Sequence, residues 1–254
     1  MLNIGIIRLS TLEKYKLNSN AADDIEMLLT LPNEKASLLV KYLKKSKSQL
    51  RQDLFVLTEL NFKKNGYFVE FGATNGFDLS NTYLLEKEFE WTGILSEPAK
   101  CWHKNLKKNR SAKIDINCVW KDTGSNLKFN EVNIAELSTI DIFSDSDMHK
   151  EFRKKGIKYD VTTISLNDLL LKFNAPTNID YLSIDTEGSE YLILNSFDFT
   201  QYTFSIITCE HNFSPVREQI YELLSKQGYI RKYQNLSLFE DWYVNSNLLI
   251  NSSE

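Results

Sequence analysis

From Gly66 onward the chain alternates short apolar runs with stretches of helical spacing, and this alternation leaves few folds open to it. Residues 67–71, 93–96, 114–119, 179–184 and 204–209 are brief and almost wholly apolar, the pattern of strands buried on both faces. Residues 80–89, 166–173 and 215–227 lie between them and carry apolar side chains at helical intervals. Strand, helix, strand repeated in this way predicts a doubly wound α/β domain with a mainly parallel sheet. The last two runs, 229–233 and 238–244, have no helix between them, which predicts an antiparallel hairpin at the end of the sheet.

Residues 1–63 read differently. They hold one Pro and one Gly, and apolar sets such as Leu38, Leu39, Tyr42 and Leu43 fall at helical spacing. A last helix over 53–60 should stop before Lys63-Lys64-Asn65-Gly66. The expected organisation is therefore a helical segment over 1–63 and one α/β domain over 64–254. With 254 residues and 42% hydrophobic content, the chain can fill such a core, and only the Asn/Ser-rich stretch 245–254 invites disorder.

The net charge of −4 argues against a nucleic-acid partner. Two basic clusters, Lys44, Lys45 and Lys47, then Lys104, Lys107, Lys108 and Arg110, read as solvated helix surface, with contact to an acidic substrate as the other reading. Three scattered cysteines, Cys101, Cys118 and Cys209, suggest neither disulfides nor zinc, and so a reducing cytoplasm. The N-terminal stretch lacks the layout of a signal peptide, and no apolar run approaches the roughly 20 residues of a membrane span. Oligomeric state is not indicated.

The segment from Gly66 to Thr82 holds the first chemical signal. A strand ends in a loop with Gly72 and Gly76, and a helix should begin near residues 79–82. Glycines let backbone approach a ligand, and ligands of open α/β sheets sit beyond the carboxyl ends of the strands. The spacing G-x-x-x-G is not the dinucleotide fingerprint, which disfavours NAD. Glu70 in the strand would repel a pyrophosphate but suits a cationic amino-acid end or a sulfonium. Glu97, closing the second strand before Pro98, stands where it can accept hydrogen bonds from the two hydroxyls of a ribose.

The stretch FVEFGATNGFDLSNTYLLEKEFEWTGILSEPAK, the later VTTISLNDLL and IDYLSIDTEGSEYLIL, and then IITCEHNF together resemble the FkbM-type methyltransferases, over roughly residues 54–245. The resemblance implies a class I, Rossmann-like methyltransferase that uses S-adenosylmethionine and moves a methyl group to a hydroxyl oxygen, often on a sugar or glycan. By position, Glu70, Gly72, Ala73, Asn75 and Gly76 would cradle the methionine end. Ser80 and Asn81 would touch the cofactor from the helix start, Glu97 and Pro98 would lie at the ribose, and Trp120 or Asp122 beside adenine. Asp185 would close the cofactor site from the far strand. Thr74 stands before Asn75 where many relatives have an Asn-Asp-Gly run.

The second half concentrates acids at two strand ends: Asp185, Glu187 and Glu190 after one, Glu210 and His211 after the next. Crowded carboxylates call for a cation nearby. In one reading Asp185, Glu210 and His211 hold Mg²⁺ or Mn²⁺, as acids do at these strand ends in O-methyltransferases of the catechol type. In another, without a metal, His211 alone is the general base, and Asp185 and Glu187 are the other catalytic candidates. In a third, Asp185 and Glu187 cap a helix and His211 satisfies a buried backbone group. Trp91, Trp102, Phe213 and Trp242 could stack on a sugar but read more readily as core. A cofactor-binding module without turnover and a methyltransferase on a non-sugar small molecule are the alternatives. The Asn/Asp-Pro-Pro-Tyr motif of many N-methyltransferases is missing.

Overall fold

The computed structural model describes residues 21–251 except 147, so the helical reading of residues 1–20 lies outside it. By internal packing the chain divides between Lys45 and Ser46. The first unit holds helix α1 (residues 21–30), helix α2 (Asn33–Leu39) and a closing turn. The rest forms the second unit, including residues 46–63 and helix α3 (Gln52–Glu59), which the sequence had grouped with the lead-in.

Strand β1 (Tyr67–Phe71) is followed by α4 (Tyr83–Phe89), β2 (Thr92–Ser96), α5 (His103–Asn109) and β3 (Lys113–Asp115). A smaller sheet comes next: β4 (Cys118–Trp120), β5 (Asn126–Glu131), β6 (Thr139–Ile140), the short helix α6 (Lys150–Arg153) and β7 (Ile157–Ser165). The chain then returns through α7 (Leu166–Lys172), β8 (Asn178–Ile184), α8 (Glu190–Asn195), β9 (Thr203–Glu210) and α9 (Val216–Lys226) to β10 (Tyr229–Lys232), β11 (Glu240–Asn245) and α10 (Ser246–Asn251).

The large sheet runs β3-β2-β1-β8-β9-β11-β10, with β1 at the switch point and β11 antiparallel to both neighbours. That is the doubly wound, mainly parallel sheet with a terminal antiparallel hairpin read from the sequence. Its centre is buried on both faces: Val69, Phe71, Ile94, Leu182, Ile184 and Ile207 share one core, and Phe68, Leu95, Tyr181 and Ile206 are buried on the opposite face. Helix α9 covers it with Ile220 and Leu224, one turn apart. Of the segment 245–254, read as prone to disorder, residues 246–251 form α10, and residues 252–254 lie outside the described residues.

Two element boundaries differ from the sequence reading for local reasons. Residues 114–119 are not one strand. The Asp115 carboxylate accepts from the Asn117 amide at 2.8 Å, an Asx turn that ends β3 and sends β4 into the second sheet. Nor does the first helix start at residue 80. Ser80, Asn81 and Thr82 give their hydroxyls and an amide to Glu70, so helical geometry begins at Tyr83.

Close sheet packing gives a sharp test. A Cβ on Gly93 would stand 2.2 Å from the Phe68 carbonyl oxygen. Gly93→Ala should therefore lower stability by about 1–3 kcal/mol in denaturant unfolding, the range for overpacking; an unchanged midpoint would contradict this packing.

Candidate active site

The carboxyl ends of β1, β2, β8 and β9 and the second sheet enclose a cavity of about 550 Å³, within the range of small-molecule sites. Of the residues expected from the sequence, Glu70, Gly72, Asn81, Glu97, Pro98, Asp185, Glu187 and Glu210 line it.

The β1 loop is shaped from below. Arg110 has no solvent-exposed side chain and pairs with Glu86 at 2.8 Å and Glu70 at 3.6 Å. It also donates to the Gly76 carbonyl, Ser80 Oγ and Thr82 Oγ1. Glu70 in turn accepts from Ser80, Thr82 and the Asn81 amide, at 2.8 Å for the last. Glu70 and Ser80 thus hold the loop, and Arg110 is the hub of the network rather than solvated surface. Ala73, Asn75, Gly76 and Ser80 lie outside the cavity lining. Asn75 Oδ1 instead accepts from the Phe77 and Asp78 amides. Gly72, at φ +70°, sits against the Asp185 carbonyl so closely that a Cβ would be 2.0 Å from it. This abutment joins the β1 and β8 ends.

Glu97 is buried, and its two oxygens accept from the Thr74 amide at 2.8 Å and the Ala99 amide at 2.7 Å. Burial, opposed by those two amides, still pushes its carboxyl up to about 7. Next to it the wall is apolar, formed by Cys118, Val119, Phe129 and Trp102. Trp120, expected at adenine, points instead into the core of the second sheet against Phe143. Asp122 accepts from Ser125 Oγ outside the cavity.

At the other end the acids converge. Ile184 is in register with Cys209, which places Asp185 beside Glu210, and Glu210 is in register with Glu240 on β11. Asp185, Glu187 and Glu210 each offer an oxygen within 4.8 Å of the others. Burial raises the pKa of both Asp185 and Glu210, and neighbouring carboxylates add to the effect. Burial, then Asp185, pushes Glu240 up to about 8, although Gln52 and Trp242 donate to it at 2.7 and 3.1 Å.

His211 does not join this cluster. It is buried on the other side of the strand end, with Nε2 3.9 Å from Asp241, and Nδ1 accepts from the Phe213 amide at 3.0 Å. Burial lowers its pKa. The sequence placed it one residue after Glu210, and that single step turns it to the opposite face. Its place is to fix the 211–213 loop, whose exposed Phe213 stands on the cavity rim.

Glu187 is committed as well. Arg153, 1% exposed, donates to it at 2.8 Å and to the Leu137 and Phe143 carbonyls. Asn212 donates to the same Glu187 oxygen at 3.2 Å, and Thr139 Oγ1 donates to its carbonyl at 2.9 Å. One carboxylate thus ties the 134–153 wall to the β8 and β9 loops. Arg153, Glu240, Gln49 and Gln52 had no motif in the sequence; the paired acids Glu240 and Asp241 before Trp242 are the one signal that could have pointed to Glu240. Of the four aromatics weighed, Trp91 and Trp242 are core, whereas Trp102 and Phe213 line the cavity.

The strand order and the cavity at its switch point define a class I, Rossmann-like methyltransferase fold. The Methyltransferase FkbM domain matches residues 70–233, and the chain belongs to that family: it is an S-adenosylmethionine-dependent methyltransferase. No curated protein matches it. Among solved structures, the precorrin-6y C5,15-methyltransferase of Geobacter metallireducens is similar at 11% identity and a TM-score of 0.38, over 76% of this chain and 85% of that one. A TehB-like SAM-dependent methyltransferase of Corynebacterium glutamicum is similar at 7% identity and a TM-score of 0.39, over 84% of this chain and 97% of that one. No described helix is long and apolar enough to cross a membrane.

The Arg153–Glu187 pair yields a stability test. Arg153→Met leaves a buried carboxylate without its cation and should cost about 3–5 kcal/mol, while the Arg153→Met/Glu187→Gln double variant should recover much of the loss. A cost under about 1 kcal/mol in chemical unfolding would mean the pair does not hold the wall.

Proposed function

We propose that the protein transfers a methyl group from S-adenosylmethionine to a hydroxyl oxygen of a sugar or glycan. The observation that carries this reading is Asp185, a carboxylate at the end of β8, abutting the Gly72 loop and beside Glu210 in the cavity. The cofactor supplies a methyl carbon on a sulfonium, which an oxygen displaces in line as the carbon–sulfur bond breaks.

The residues fit that cofactor. Asn81 Oδ1 is a buried acceptor without a donor, and its side chain lines the cavity. It suits an occupant that brings an N–H group, such as the cofactor's ammonium. Asn81 and the Gly72 loop would receive its methionine end, Glu97 its ribose, and the Cys118–Val119–Phe129 wall its base. Asp185 would take the hydroxyl proton, since His211 is turned away. Phe213 and Trp102 offer ring faces, and Gln49, Gln52 and Asn212 offer amides, a combination suited to a polyol.

A divalent ion is the second reading, favoured by the oxygen triad of Asp185, Glu187 and Glu210, a donor set suited to hard cations. Against it, Glu187 already answers Arg153 and Asn212, which leaves two free carboxylates. Such an ion would lower the pKa of the acceptor hydroxyl.

With methyl-labelled cofactor and a panel of neutral and amino oligosaccharides, Asp185→Asn should cut kcat by about 10²–10⁴-fold and leave S-adenosylhomocysteine affinity nearly unchanged. Chelator should not affect the wild type; loss of turnover on chelation, restored by Mg²⁺ or Mn²⁺, would favour the ion instead. Undiminished turnover in Asp185→Asn would remove it as the base.

Glu97 gives a pH test. Its ionised form is the better acceptor for ribose hydroxyls, and its pKa is raised to about 7. Cofactor affinity should therefore rise between pH 6 and 8, by up to about tenfold, and Glu97→Gln should flatten that slope. The unfolded chain binds this proton less tightly, so the ligand-free protein should lose stability as pH rises from the ordinary glutamate range through about 7. A slope unchanged in Glu97→Gln would place the ribose elsewhere.

A further inference from the structure

Among the described residues, the cavity wall carries no Lys or Arg. Apart from the exposed Glu136 and the half-buried imidazole of His149, its acidic and basic side chains are carboxylates that divide into two groups. Glu70 is answered by Arg110, Glu97 by two backbone amides, and Glu187 by Arg153. Asp185, Glu210 and Glu240, on the three adjacent strand ends of β8, β9 and β11, have no cation. Glu240 is held in place by Gln52 and Trp242, both neutral donors. Glu210 is 5% exposed, and its Oε2 has no hydrogen-bond partner. S-adenosylmethionine contributes one net positive charge, from a sulfonium and an ammonium less a carboxylate. That leaves three carboxyl groups at the acceptor end without a cation, each raised in pKa by its burial, and an orphaned acceptor atom among them.

We infer that the acceptor is cationic, bearing a protonated amine close to the hydroxyl that is methylated, and that the cavity rejects phosphorylated and carboxylated acceptors. The inference rests on the methyl-transfer reading above and narrows its substrate to amino sugars and similar amino alcohols. Glu210 receives the ammonium through Oε2, and the arriving cation favours the ionised form of Glu240 behind it. A phosphate in the same place would face three carboxylates in a partly desolvated space, with no guanidinium or ammonium to receive it. Repulsion of this kind sets specificity as firmly as attraction does.

The test titrates three matched probes into the full chain saturated with S-adenosylhomocysteine: methyl glucosaminide, methyl glucoside and glucose 6-phosphate. The amine should bind at least about tenfold more tightly than the neutral glycoside, and the phosphate should not bind. Glu210→Gln and, to a smaller degree, Glu240→Gln should shrink the amine's advantage while S-adenosylhomocysteine affinity stays within about twofold. Phosphate binding as tight as that of the neutral glycoside, equal binding of amine and neutral probe, or an advantage that survives Glu210→Gln would overturn the inference. If none of the three binds, transfer of labelled methyl groups into a small-molecule extract decides. Label retained on a cation exchanger supports the inference; label in neutral or anionic compounds, or no label, counts against it. An N-methylated product would sink transfer to oxygen and leave the charge class standing, whereas a neutral O-methylated product would do the reverse.

Discussion

A buried guanidinium underlies the whole site. Arg110 stands out of solvent between Glu70 and Glu86 and spends its remaining donors on the loop that follows β1. Burying one cation between two carboxylates is costly unless its donors find acceptors, and here Nε, Nη1 and Nη2 each do. The result is a loop pinned at Gly76, Ser80 and Thr82, with its upper side free to face a ligand. Without Arg110, Glu70 would keep its hydrogen bonds from Ser80, Thr82 and the Asn81 amide but lose the cation beside it.

The row of acids above that loop follows from topology. Parallel strands deliver all their carboxyl ends to one edge, so residues just past β1, β2, β8 and β9 meet there whatever their separation in sequence. The hairpin adds Glu240 by pairing β11 antiparallel to β9. The second sheet closes the opposite side and is fastened through Arg153 to Glu187. The cavity therefore has a floor from the ends of the large sheet and a wall from the second sheet, fastened to it by a buried ion pair.

Much of this was legible in the chain. The central strands are so thoroughly buried that their sequences become unbroken apolar runs, and residues 67–71, 179–184 and 204–209 could be placed within a residue or two. The smaller sheet escaped because β5 and β7 keep one face in solvent and carry Lys, Asp and Asn among their apolar positions. Side-chain direction escaped as well. Asp185 and Glu210 face the cavity, but His211, adjacent in sequence, does not. Arg110 sits in a run with Lys104, Lys107 and Lys108, and nothing in that run tells which basic residue turns inward. Glu187 looks like an active-site acid by position, yet Arg153, distant in sequence, claims it.

The most direct measurement is a crystal structure of the full chain with S-adenosylhomocysteine. The ribose should lie on Glu97, the base against Val119 and Phe129, and the sulfur on the Asp185 side of Gly72, with the Arg110 network intact. A ligand bound away from the Gly72 loop, or a His211 side chain swung round to meet it, would contradict the assignment of the site.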